Sequence, residues 1–141
     1  FISIVSKKRG LTANVKLRMF VFASYLLVAN PRVVLYISDL DYGTRCILYY
    51  PEYGIDSGRP LGDYIKKGGV YQRSFEKGVV LVNPDQNTPR TFVLGKSYKK
   101  IVPTGGGPVQ KDGYWNGRID YEKVDRTITV YPLSGIVLKN I

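Results

Sequence analysis

Histidine is absent from the 141 residues of this chain. That removes the commonest general base, the commonest zinc ligand and every Ser-His-Asp triad. Cysteine occurs once, at Cys46, so no internal disulfide and no cysteine-rich metal site can form. Without a histidine partner, Cys46 is read as structural rather than nucleophilic. Long apolar runs are also missing. The uncharged stretch 19–29 stops at Asn30-Pro31-Arg32, short of the roughly 20 apolar residues that a membrane span needs. A secretory leader with basic start, apolar middle and small-residue cleavage site is not visible. The first residue is Phe1, compatible with a processed product or a part of a longer polypeptide.

Acidic residues are the scarcer charge, 11 against 21 basic, which leaves a net charge of +10. A basic total invites a nucleic-acid reading, but its distribution argues against one. Residues 1–50 carry seven basic and two acidic residues, 51–69 three of each, and 70–141 eleven and six. The excess is spread along the chain rather than gathered in an arm, so nucleic acid is not an expected partner. Hydrophobic residues make up 44%, enough for a packed core.

What is there begins with a strand-like apolar piece at residues 1–5, closed by Lys7-Lys8-Arg9-Gly10. Thr12 is a candidate N-cap for a helix running to about Ala29, with Val15, Met19, Phe22 and Leu26 on one face. Pro31 ends it. The continuous run 33–37, VVLYI, reads as a strand buried on both faces. Residues 38–69 are rich in glycine and proline and hold the aromatic cluster Tyr49-Tyr50-Pro51-Glu52-Tyr53. So long a loop is usually functional or a domain connector. In 70–84, VYQRSFEKGVVLVNP, a hairpin turns at Glu76-Lys77-Gly78, with Gly78 free to take positive φ. Short strands follow at 91–94, 97–102, 126–131 and 135–138, an antiparallel sandwich pattern. The triple glycine 105–107 lacks the GK[ST] ending of a phosphate loop and reads as a turn. The fold expected is mainly β: an antiparallel sandwich over 70–141, a connector over 51–69, and one buried helix with one buried strand over 1–50. No cofactor is expected.

Four motifs in order carry a family resemblance. They are ASYLLV at 23–28, YPEY at 50–53 with GRPLG at 58–62, YQRSFEKGVVLVNP at 71–84, and PLSGIVL at 132–138. Together they resemble the C-terminal end of a glycoside-hydrolase-like family built on a (β/α)8 barrel. The resemblance implies that the helix belongs to the last turns of the barrel, that the YPEY loop leaves it, and that the hairpin opens a terminal β-sandwich. It further implies an extracellular or cell-surface setting, with a polysaccharide as partner. Only one or two of eight barrel units are present, and the carboxylate pair of a glycosidase would lie at earlier strand ends. The chain alone is therefore expected not to catalyse.

Glycosidic hydrolysis needs two carboxyl groups about 5–10 Å apart. Asp39 and Asp41 follow the expected strand, where barrel sites form, and can equally be loop-capping acids. Glu52 with Tyr50 and Tyr53 can line a sugar subsite or pack between domains. Trp115 between Gly113 and Gly117 can be a sugar platform or a cap on the sandwich core. No residue is assigned a catalytic role, and no metal site is expected. The helix and strand of 11–37 should need cover from the remainder of a longer polypeptide or another chain. Three functions follow: the C-terminal portion of a glycoside-hydrolase-like protein with a structural or accessory sandwich, a non-catalytic extracellular binding or assembly subunit, and a basic nucleic-acid-binding β-domain.

Overall fold

The computed structural model describes residues 9–42 and 46–141. The expected strand at 1–5 lies outside them. One helix, α1 (Val15–Val28), is followed by β1 (Leu48–Tyr49) and a single 3-10 turn at Pro51–Gly54. Then come β2 (Ile65–Lys67), β3 (Val70–Phe75), β4 (Gly78–Asn83), β5 (Arg90–Val93) and β6 (Tyr98–Gly105). The chain closes with β7 (Gly107–Pro108), β8 (Gly117–Val124), β9 (Thr127–Val130) and β10 (Ser134–Asn140). The protein is mainly β, with antiparallel sheets and a single helix among the described residues, as its patterning implies.

The main sheet has the order β2-β3-β4-β10-β6-β8, and every neighbouring pair is antiparallel. β4 is central and buried along its whole length. Its side chains divide by the period of two. Val80 and Val82 pack with Met19, Phe22 and Leu26 of α1, while Val79 and Leu81 pack with Phe92 of β5 and Val130 of β9. The sheet is thus covered by α1 on one face and by the β5–β9 ladder on the other. A continuous VVLV run is what a doubly covered strand requires.

The spacing of Met19, Phe22 and Leu26 places them, buried, on the sheet-facing side of α1, with Val15 partly buried beside them. The N-cap is Asn14, not Thr12. Asn14 Oδ1 accepts from Leu17 N at 3.0 Å, while the Thr12 backbone is engaged elsewhere. At the other end, Arg73 on β3 caps the helix through space. Its Nη1 donates to the carbonyls of Leu26 (3.0 Å) and Ala29 (2.9 Å), and its Nε to Gly62 O (2.9 Å). A cation at the carbonyl end also complements the helix dipole. Replacing Arg73 by Met should cost about 1–3 kcal/mol, because buried carbonyls lose a charged donor. Arg73→Lys should restore only part of that, since one ammonium cannot reproduce the fork. Urea midpoints of the two variants check both.

Two local expectations are corrected. Residues 33–37 form no ladder with any described segment. Val34 and Tyr36 are 52% and 51% exposed, whereas Ile37 is buried. A strand needs a ladder partner about 4.8 Å away, and no described segment pairs with this one. Gly78 does not take positive φ. It is needed because a Cβ there would run into the carbonyl of Leu138 on neighbouring β10. In the 132–135 turn the left-handed position falls on Leu133 (φ 47°), while Gly135 lies within β10, directly under α1. No described helix is long and apolar enough to cross a membrane.

Candidate functional site

The polar centre of the molecule lies between α1 and the loop that precedes the sheet. Arg18 projects from α1 and is fully buried, as is Glu52 in the 3-10 turn. Arg18 Nε donates to Glu52 Oε1 at 2.9 Å and Nη2 donates to Oε2 at 3.3 Å, a bidentate pair. The remaining guanidinium nitrogen, Nη1, donates to Thr12 O. The guanidinium carbon stands 4.5 Å from the ring centroid of Tyr50. A buried ion pair is tolerated only with good geometry and further hydrogen bonds, and here each of the three guanidinium nitrogens donates one.

Thr12 links this pair to the next acid. Its hydroxyl and that of Tyr50 lie 3.2 Å apart, and its N–H donates to Asp39 Oδ2 at 2.7 Å. Asp39 Oδ1 accepts from Asp41 N at 3.0 Å. Burial works against the charged form of Asp39, but the backbone bonds from Thr12 and Asp41 outweigh it and hold the carboxyl below its ordinary range. Asp41 is exposed. Its Oδ2 accepts from Gly10 N at 2.9 Å, and Arg9 lies 3.8 Å from its Oδ1. Gly10, Thr12, Asp39, Asp41, Tyr42 and Gly106 border a cavity of about 390 Å³.

The aromatic residues form a continuous edge-to-face series. Tyr50 and Tyr53 are 5.5 Å apart, Tyr53 and Tyr49 5.8 Å, and Tyr49 and Trp115 4.6 Å. Desolvation raises the Tyr53 hydroxyl pKa well above its usual value, so it stays protonated. The triple glycine closes the cluster. A Cβ on Gly106 would stand 2.9 Å from Tyr50 and Pro51, and one on Gly107 2.8 Å from the Thr12 methyl. The backbone passes too close for any side chain there.

All six residues singled out in the sequence therefore lie in one neighbourhood. Asp39, Tyr50 and Glu52 are fully buried, Tyr53 and Trp115 are half-buried, and Asp41 is exposed. Two partners were not foreseen: Arg18 and Thr12. Arg18 left one signal. It lies three residues after Val15 and four before Phe22, on the apolar side of the helix, where an unpaired cation would not be expected. Among the described residues no cluster of carboxylate, histidine or cysteine side chains fits a metal ion.

A family model described as hypothetical glycosyl hydrolase family 15 matches residues 3–79. The chain belongs to this family. The match takes in α1, the Arg18–Glu52 pair, Asp39, Asp41, the tyrosine cluster and the β3–β4 hairpin up to Val79. Trp115 and strands β5 to β10 lie beyond it. Membership bears out the resemblance to a glycoside-hydrolase-like family. Searches of curated proteins and of solved structures returned no match.

Asp39 gives a pH-dependent expectation. A carboxyl held below its unfolded value contributes stability that is present above the unfolded pKa of 3.8 and is lost as pH falls through the lower folded value. Asp39→Asn turns one acceptor into a donor facing an N–H. It should lose about 1–3 kcal/mol at neutral pH. Its remaining stability should then fall less than the parent's on acidification below 3.8. Urea unfolding at neutral and acidic pH measures both.

Proposed function

We propose that this chain is the C-terminal portion of a glycoside-hydrolase-like protein, in a structural or accessory role, without a complete catalytic site of its own. In this reading residues 1–50 are the terminal helix and extended segment of a barrel-like domain, 51–69 the connector and 70–141 the sandwich. The observation that carries the reading is the state of the acids. Of the acids offered as sugar contacts, Asp39, Asp41 and Glu52, Asp39 and Glu52 are fully buried and engaged, one by backbone N–H groups and the other by Arg18. A hydrolytic pair needs two carboxyl groups facing one substrate, and of these acids only Asp41 reaches solvent.

The remainder of the polypeptide is the proposed cover for residues 11–37. Val34, Tyr36, Leu40 and Tyr42 present an apolar strip to solvent beside a segment that has the pattern of a strand and no described ladder partner. A further barrel strand would supply one. The test is hydrolysis of neutral and acidic chromogenic glycosides by this chain. No turnover above buffer is expected. Turnover that disappears in Asp41→Asn would overturn the reading.

A further inference from the structure

The two faces of the β10–β6–β8 corner treat charge differently. On the face toward β5–β9, Lys100 is in register with Glu122, and the two meet at 3.0 Å. That is how a sheet normally pairs opposed charges. One residue along, on the face shared with α1, the register sets Lys139 opposite Lys99 and Lys99 opposite Lys123. Three lysines stand side by side across three strands, spanning about 10 Å at the usual strand spacing. Like charges directly opposed destabilise a sheet. Nothing in the fold requires the row, since the neighbouring positions on the same face, Val137, Ile101 and Tyr121, are apolar or aromatic.

The row is open to solvent. Lys99 is exposed, the Lys123 side chain is 72% exposed and Lys139 is half-buried. Among the described residues, Lys99 and Lys139 have no carboxylate within ion-pair distance, and Lys123 has only the exposed Asp125 at 3.5 Å. Asp56, whose charge senses Lys139, is bonded to Lys77. Tyr121, next to Lys123 on the same face, is 54% exposed. An aromatic ring beside a line of cations is a surface for a sugar chain that carries anionic groups.

We infer that Lys139, Lys99 and Lys123, with Tyr121, form a binding surface for an acidic polysaccharide of the polyuronate class. A polyuronate places one carboxylate on each ring, so successive rings can meet successive lysines while one ring stacks on Tyr121. Nucleic acid fits less well, because affinity there comes from many phosphate contacts and the row offers three cations with Asp125 at its end. The inference deepens the accessory role proposed above and rests on it.

The test is retention of the full chain by polygalacturonate, by dextran and by single-stranded oligo(dT), at low and high salt. Polygalacturonate should retain it most, and retention should fall as salt rises. Lys99→Glu separates function from structure. It places an acid between two lysines, so it should raise the thermal midpoint while weakening polygalacturonate retention by about tenfold. Tyr121→Ala should weaken it severalfold with little change in salt dependence. Unchanged retention in Lys99→Glu, no retention by polygalacturonate, or tighter retention by oligo(dT) would each overturn the inference. Retention by dextran alone would also overturn it while leaving the accessory role standing, which fails instead on glycoside turnover.

Discussion

Glu52→Ala should cost about 3–5 kcal/mol, the usual penalty for removing one partner of a buried ion pair. The Arg18 guanidinium would keep its bond to Thr12 O and its stacking on Tyr50, but lose both carboxylate oxygens. It cannot escape by deprotonating, because guanidinium stays charged at any ordinary pH. Either water enters or α1 shifts, and α1 carries Met19, Phe22 and Leu26 into the core. Against a typical total stability of about 5–15 kcal/mol, much of the native population is at stake. The double replacement Arg18→Met with Glu52→Leu should recover most of the loss, because removing both charges leaves nothing buried and unpaired. Urea midpoints with an unchanged slope would measure it. A loss below about 1 kcal/mol for Glu52→Ala would mean that the pair is solvated.

The second large effect is expected at Gly135. A Cβ there would stand 2.5 Å from the Ala23 Cβ, 2.5 Å from the Met19 carbonyl oxygen and 3.0 Å from the Phe20 Cα. Two of these neighbours are backbone, so no rotamer relieves the clash and the helix must lift off β10. Gly135→Ala should cost about 1–3 kcal/mol by overpacking, and Gly135→Val more. Ala23→Gly should cost about 1 kcal/mol alone, as a glycine inside a helix. Combined with Gly135→Ala it should cost less than the sum, because one of the colliding atoms is gone. The Met19 carbonyl remains, so the rescue stays partial. Strict additivity in this cycle would show that the two residues are not in contact.

Much of the fold was legible because local patterns and tertiary burial agree. The three- and four-residue spacing of Met19, Phe22 and Leu26 marked the buried side of α1, and the VVLV run marked a strand covered on both faces. The run 33–37 broke the same rule. Its composition is that of a buried strand, but pairing depends on a neighbour that hydrophobicity does not reveal. Gly78 looked like a turn residue and proved to be a close-approach residue, as Gly135 is, since the atoms the two avoid lie about sixty and one hundred and ten positions away in the chain. The YPEY motif falls in the buried polar centre between α1 and the loop before the sheet. The role of Glu52 there depends on Arg18, 34 residues upstream, at a position whose apolar neighbours hide its charge. The lysine row was invisible for a related reason. Lys99, Lys123 and Lys139 are dispersed in sequence, and only strand register aligns them.

The central proposal is that this chain is the tail of a larger glycoside-hydrolase-like protein whose remaining part covers residues 11–37. The direct measurement is the intact mass of the protein purified from its native source, together with its assembly state. A mass well above 15.9 kDa is expected. A species of 15.9 kDa that is a monodisperse monomer and unfolds in one cooperative transition would contradict it.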